Sequence, residues 1–449
     1  MLPLPPQTQF MSDDDRAQRF SKWRQWQILV KEKVLEHPSF KWYKRGMWGI
    51  SIAWAAVIAI QSIPYYQAIS TGEAAYKDGD YRAAEQQFLQ ALKESQQYSP
   101  LDVRRAKALN NLAELYRTIG RYKKAEPLYA DTVKIASHLG PRREELPLSL
   151  NNLANLHRDQ GLYSQSEKEF KEALSIWDSK IKKADDIKRA AILNGLGKLL
   201  RDEGRYAEAE DYYKQSLAIK EKLLGTNDAE VAVSLDNLGG LYRDEGKFDQ
   251  AEAFYKKALF IDEAALGADH PLTATDLNNL GGLYREEGQT KQAEPYYLRA
   301  IAIRSKTLGR GHPLVAKSLT GLAELRRTQG RLADAERLLK QAAEIQTRAV
   351  GDEHPELATS LDLLGSLYLQ EGKIEEAKKN IDLALHIRQK ALSDEHPDLA
   401  QSLLHEAKLA AAQKNSAEAK RYYEQALTIF QKVLGPDHPS TREAVGFRW

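Results

Sequence analysis

The sequence predicts an all-α fold: a superhelical solenoid of about nine helical hairpins, preceded by a single transmembrane helix. Three observations predict it. Glycine recurs at Gly79, Gly120, Gly161, Gly204, Gly246, Gly288, Gly330 and Gly372, at steps of 41 to 43 residues. Around each glycine the same order of leucines, aromatics and small residues returns, and a fixed period of this length marks a stacked array in which each unit covers its neighbour. Ahead of the array, residues 47–63 read MWGISIAWAAVIAIQSI without a charge.

Residues 1–16 carry Pro3, Pro5, Pro6, Gln7 and Gln9, then Asp13, Asp14 and Asp15, a composition expected to stay disordered. Residues 17–46 form a basic segment expected on the cytoplasmic side. Its first part reads as an amphipathic helix, with Phe20, Trp23, Val30 and Val34 on one face and Lys22, Arg24, Lys31 and Lys33 on its flanks. Such a helix either lies on the membrane surface or packs against a partner helix.

Residues 47–64 are the expected membrane span. A helix rises about 1.5 Å per residue and needs about 20 apolar residues to cross, with a lower limit near 17. Trp42, Tyr43 and Trp48 mark one edge and Tyr65 and Tyr66 the other, as amphipathic rings do at headgroup level. A cleaved signal peptide fits less well, because 46 residues precede the apolar run and no small-x-small site follows Ile63. A buried core helix would need covering neighbours that the preceding residues do not supply. Lys31, Lys33, Lys41, Lys44 and Arg45 precede the span, whereas Lys77 is the one basic residue from its end to Asp80. The positive-inside rule then keeps the N-terminus cytoplasmic and sends the repeats into a periplasm or lumen.

Residues 66–440 hold the repeats. In one copy Leu235, Leu238, Gly239 and Tyr242 fall at i, i+3, i+4 and i+7, one face of a first helix. Gly246 supplies the left-handed turn. Phe248, Ala251, Tyr255 and Ala258 mark one face of a second helix, where small residues let the helices approach and aromatics fill the space between them. In a ninth copy Lys414 occupies the glycine position.

This pattern resembles the tetratricopeptide repeat. The segments LNNLAELYRTIGRYKKAEPLY at 109–129 and LNNLGGLYREEGQTKQAEPYY at 277–297 carry the likeness. The unit is 42 residues long, with a Leu-Gly-x-Asp-His-Pro linker in its clearest copies, and looks like the repeats of kinesin light chains and their bacterial relatives. The apolar span is not part of the light-chain pattern and no heptad coiled coil precedes the repeats, so a motor role is not implied. The linker histidines His270, His312, His354, His396 and His438 stand 42 residues apart, each followed by proline. A whole hairpin separates them, which rules out a shared metal. The reading is structural: proline suits a first helical turn, and acids such as Asp269 and Asp437 favour the free N–H groups there.

The resemblance implies that first helices line a concave groove. One slot on them holds Asn110, Asn151, Asn194, Asp236, Asn278, Thr320 and Asp362. Seven residues later come Arg117, Arg158, Arg201, Arg243, Arg285 and Arg327. Seven residues return within roughly 20° on a helix, so each pair shares a face. Arginine forks suit carboxylates, and asparagine both donates to and accepts from a peptide backbone. In similar light-chain repeats groove asparagines hold extended peptides. The expected partner is therefore a protein presenting an extended acidic segment. Against this stand Asp159, Asp202, Asp244 and Glu286, which follow four of the arginines and would neutralise them across neighbouring repeats. Arg117 and Arg327, followed by threonines, look least neutralised, and the ladder ends at Leu369 and Ala411. Residues 441–449 read as a capping segment, with docking of Phe447 and Trp449 on a partner as the alternative.

Composition narrows the function. Net charge is +2, from 65 basic and 63 acidic residues, which gives no basic patch for nucleic acid. The absence of cysteine excludes disulfides, thiolate metal sites and cysteine nucleophiles. No phosphate loop, zinc motif or nucleophile elbow is present; His405-Glu406 starts a zinc motif, but Leu409 stands where its second histidine belongs. No cofactor and no catalysis are expected. The reading is a membrane-anchored interaction scaffold, an assembly factor or subunit of a membrane complex. The alternatives are a binder of anionic polysaccharide in polymer export and a structural subunit docked through its convex face.

Overall fold

The computed structural model describes residues 62–140, 143–181, 186–436 and 438–446. Met1–Ala68 and Ile69–Trp449 form two compact units. The expected disordered terminus, basic segment and apolar span up to residue 61 lie outside the described residues. Among the described residues no helix is long and apolar enough to cross a membrane.

Nineteen α-helices make up the described chain. The first helices of the hairpins are α1 (Ile63–Lys77), α3 (Val103–Thr118), α5 (Glu145–Asp159), α7 (Ile187–Asp202), α9 (Ala229–Asp244), α11 (Pro271–Glu286), α13 (Pro313–Thr328), α15 (Pro355–Gln370) and α17 (Pro397–Ala412). Their partners are α2 (Tyr81–Glu94), α4 (Tyr122–His138), α6 (Tyr163–Ile176), α8 (Tyr206–Leu224), α10 (Phe248–Ala265), α12 (Thr290–Thr307), α14 (Leu332–Val350), α16 (Ile374–Ala391) and α18 (Ser416–Val433). A short α19 (Pro439–Val445) follows and lays Ala444 against Phe430 and Leu434. Pro64, expected at the end of an apolar run, lies in the first turn of α1.

Each hairpin turns where the periodic glycine predicts. After α3 the Gly120 N–H donates to the Arg117 carbonyl and the Arg121 N–H to the Tyr116 carbonyl, with Gly120 at φ 70°. That bond pair satisfies two carbonyls the helix end leaves free. The pattern recurs at every turn glycine, and Lys414 adopts φ 62° in the ninth turn, alone among described non-glycine residues in having a positive φ.

Within a hairpin, glycines in the first helix make room for a ring from the second. A Cβ at Gly197 or Gly239 would fall 2.8 or 2.7 Å from Tyr213 or Tyr255, both essentially fully buried. Glycine inside a helix costs ~1 kcal/mol; burying the aromatic ring offsets it.

The linker histidines are helix N-caps. Nδ1 of His354 accepts from the Glu356 N–H at 3.0 Å, and His270, His312, His396 and His438 do the same two residues on. This corrects the expected role of the acids before them. Asp269 pairs with Lys306 at 2.5 Å, and Glu353 and Glu395 pair with Lys390 and Lys432. The imidazole already satisfies the N–H, so the acids bridge outward to the next repeat; Asp437 lies outside the described residues.

Inside Ile69–Trp449 the array coils back on itself. His354 Nε2 lies 3.0 Å from the Thr118 carbonyl, 236 residues away, and the Ser393 N–H donates to the Gln160 carbonyl at 2.9 Å. With 42-residue repeats, one turn of the coil takes about 5.6 repeats.

Candidate partner-binding face

The slots expected to line the groove sit on the odd-numbered helices in register, and neighbouring repeats link them side to side. Asn152 Nδ2 donates to Asn110 Oδ1 at 2.7 Å, Asn237 to Asn194 Oδ1 at 2.8 Å and Asn279 to Asp236 Oδ2 at 3.2 Å. The slot one residue after the expected one, holding Asn111, Asn152, Asn237 and Asn279, therefore supplies the donors. Sequence reading passed over it, although its own 42-residue recurrence was the available signal. Where that slot is Gly195 or Gly321, Asn151 Oδ1 and Asn278 Oδ1 of the preceding repeat are buried with no hydrogen-bond partner among the described residues. The glycines are needed there, since a Cβ would fall 2.5 Å from Phe170 or Tyr297.

The arginine slot alternates with acids across repeats. Arg117 reaches Glu114 at 2.6 Å and Asp159 at 2.5 Å. Arg158 meets Asp159 at 2.7 Å and Asp202 at 3.5 Å. Arg201 meets Asp244 at 2.6 Å, and Arg243 meets Asp244 at 3.0 Å and Glu286 at 3.6 Å. Arg285 lies 3.2 Å from Glu286 and 3.5 Å from Glu324. Arg117, expected to be least neutralised, is paired on both sides, because its acids come from one turn back and one repeat ahead. For Arg327 the expectation holds: among the described residues no acid pairs with it, and its Nε is buried without a hydrogen-bond partner.

Electrostatics follow this pairing. Burial alone would lower Arg117, but Glu114 and Asp159 outweigh it and hold the guanidinium well above its ordinary value. Burial would raise Asp159, yet Arg158 and Arg117 keep its carboxyl below the usual range. Asp202 goes the other way: burial raises it despite Arg158.

Lys198 departs from the pattern. In its slot, Gly240 takes the Arg201 guanidinium, whose Nη1 would be 2.6 Å from a Cβ there, and Glu324 pairs with Arg285. The same register sets Lys198 against Arg158, cation beside cation. Burial pushes the Lys198 ammonium down to about 8, and Arg158 adds to the shift while Asp202 opposes it. No hydrogen bond or ion pair ties it among the described residues.

A buried acid cluster lies between α9, α10 and α11. Asp262 and Asp276 are at most 2% exposed, and Asp236 lies half-buried in the groove slot beside them. Burial, then the charge on Asp236, raises Asp276 far above the carboxylate range. Among the described residues no group of three or more His, Cys, Asp or Glu is arranged to hold a metal ion.

Residues 69–138, 145–222, 230–306, 277–348, 314–390 and 363–432, most of the chain, match the tetratricopeptide repeat family model. Among solved structures the chain is similar to BtubC (BKLC) from P. vanneervenii, at 22% identity over 55% of this chain and 94% of that one, with a TM-score of 0.42. It is similar to the nearly identical TPR-like repeats of a putative kinesin light chain from Podosopora anserina, at 27% identity over 46% and 97%, with a TM-score of 0.38. A Rap protein complexed with competence and sporulation factor shares the fold, with a TM-score of 0.53 at 17% identity over 82% and 99%. No curated protein matches the chain. With its turns, its hairpin packing and the family model in agreement, the chain belongs to the tetratricopeptide repeat family.

Proposed function

We propose that this protein is a membrane-tethered interaction scaffold, of the light-chain-like type, that grips an extended acidic segment of a protein partner along the face formed by its odd-numbered helices. The observation that carries the reading is the pair of cations left over in an otherwise neutralised ladder, Lys198 and Arg327. An incoming carboxylate at Lys198 would relieve the repulsion from Arg158 and gain a charge-assisted bond in a partly desolvated site, worth more there than on an open surface. Asn194 stands one turn before Lys198 on α7 and Asn110 lies two repeats earlier on α3; Nδ2 of each donates to no acceptor among the described residues, which leaves both for a ligand carbonyl. The paired arginines set the register of the repeats and add little attraction. Residues 47–64 are the tether, with the N-terminus cytoplasmic and the repeats beyond the membrane. Nothing in the site calls for a cofactor, and the activity is binding.

The test is cross-linked capture from the native host, with helicity of every variant checked. Parent protein is compared with Lys198→Glu/Arg327→Glu and with the triple variant Arg201→Glu/Arg243→Glu/Arg285→Glu. The double variant is expected to lose the partner at least tenfold. Equal capture by parent and double variant contradicts the anchor assignment, and recovery of intact parent from the soluble fraction contradicts the tether. Docking through the second-helix face is the competing reading, favoured by Phe260, which is 70% exposed on α10; Phe260→Ser would then be the variant that loses the partner.

A further inference from the structure

The four linkers of the second coil rest on the glycine turns of the first. A Cβ at Gly79 would fall 2.8 Å from His312 Cδ2, one at Gly120 3.0 Å from His354 Cδ2, one at Gly161 2.8 Å from His396 Cδ2 and one at Gly204 3.2 Å from His438 Cδ2. A side chain at Gly79 or Gly161 would collide with the ring, and one at Gly120 or Gly204 would press against it. The turns of the second coil, Gly246, Gly288, Gly330 and Gly372, have nothing within 4 Å of that position.

Capping alone does not call for histidine. In the first coil Asp102, Asp186 and Asp228 cap their helices at 2.8 to 2.9 Å, as well as the histidines do at 2.9 to 3.2 Å. Histidine adds a second functional edge. Nδ1 of His354 caps the N-terminus of α15, while Nε2 is 3.0 Å from the carbonyl of Thr118, the last residue of α3. One ring thus satisfies a free N–H of one helix and a free carbonyl of another, two groups that helix ends otherwise leave unpaired. Accepting at Nδ1 while donating at Nε2 requires the neutral ring.

We propose that the His–Pro linkers at His312, His354, His396 and His438 are clasps that hold the second coil of the array closed against the first, and that protonating these histidines releases them and opens the coil. A proton on Nδ1 would face the backbone N–H that the ring caps, and the added charge would sit at the positive end of a helix dipole. At His354 the ring must then turn out of the cap, against the Nε2–H bond to the Thr118 carbonyl, which an imidazolium still donates. The groups around each ring are few. Arg304 faces His312; Glu356, with Arg117, Asp159, Tyr122 and Asp398 across a cavity of about 290 Å³, faces His354. Asp398, Arg388, Asp159 and Tyr163 surround His396, and Asp244 and Tyr206 surround His438. Burial holds all four rings below the ordinary histidine value; Glu356 and the Thr118 carbonyl oppose it at His354, Asp398 and Asp159 at His396, and Asp244 at His438. The closed form therefore loses stability as pH falls below about 6.5, where the released imidazole takes up its proton.

The device does not depend on which ligand the array holds. It decides when the inner face opens along its length. The Ser393 amide reports it directly, because its one acceptor among the described residues is the Gln160 carbonyl across the coils. Hydrogen exchange and small-angle scattering are measured on the full chain at pH 7.5 and 5.0, with protection corrected for the intrinsic rate. In the parent, Ser393 protection is expected to fall at least tenfold at pH 5.0 and the radius of gyration to rise, while amides inside the hairpins stay protected. The variant His312→Asp/His354→Asp/His396→Asp/His438→Asp keeps every cap and is expected to be open at both pH values with unchanged helicity. His270→Asp, at a linker that meets no described glycine turn, is expected to behave as the parent. If the quadruple variant does not fold, His396→Asp alone is read at the same amide. Ser393 protection that survives at pH 5.0 in the parent, or at pH 7.5 in the aspartate variants, overturns the proposal.

Discussion

At Asp276 the chain breaks a rule that it keeps in every neighbouring repeat. The equivalent positions hold Ser234, Ser318, Ser360 and Ser402, and the residue fourteen before each of the last three is Arg304, Gln346 or Arg388, bonded to that serine. Here Asp262 faces Asp276 instead, and Asp236 completes the cluster. Burial pushes Asp262 up to about 6, and Asp276 lies higher still. An acid raised in the folded state binds its proton more tightly there than in the unfolded chain. Its stabilising contribution is full below about pH 4 and is lost as pH rises through the folded value. Asp276→Ser is therefore expected to stabilise the array by ~1–3 kcal/mol at pH 7, with a smaller gain at pH 4. Urea unfolding at both pH values checks it; a gain that does not grow with pH would show that folding does not raise the Asp276 carboxyl. This conflict was legible as a departure from the repeat. Its consequence was not, because only the packed helices show that three carboxylates share one dry space.

The hairpin is the element that the sequence specifies most fully. A 42-residue period, a glycine at the turn, tyrosine against glycine and alanine between helices each follow from short-range sterics, and each is present as expected. The ladder across hairpins was partly legible. The arginine slot was visible, and so were acids able to neutralise it, but which acid meets which arginine depends on the stagger between repeats. That stagger gives Arg117 two paired acids and leaves Lys198 without an ion pair among the described residues. The second role of the linker histidines left no local trace, because its partner lies 236 residues away. A pair of glycine substitutions separates local turn strain from that distant contact. Gly161 and Gly246 have φ of 79° and 74°, so alanine strains both backbones alike, at ~1–2 kcal/mol. Gly161→Ala also drives a methyl into His396, whereas Gly246→Ala meets open space. Thermal unfolding is expected to show a larger loss for Gly161→Ala, together with lost Ser393 protection. Equal losses would mean that the contact between coils carries no energy.

On the scale of the whole repeat unit, coiling decides what the inner face can meet. Under the proposed function, a groove lined by alternating charge, with a cation spared at Lys198 and another at Arg327 three repeats on, would take a ligand that is long, extended and acidic at spaced points. A compact ligand would reach one anchor and leave the other idle. The most direct measurement places a photo-reactive residue at Asn110, Asn194 or Phe260 in the full chain, cross-links it in the native host and identifies the attached segment by mass spectrometry. The account predicts adducts from Asn110 and Asn194 to neighbouring parts of one acidic stretch of a single partner, and none from Phe260. Adducts from Phe260 alone, or adducts from the two asparagines to unrelated or basic segments, would contradict it.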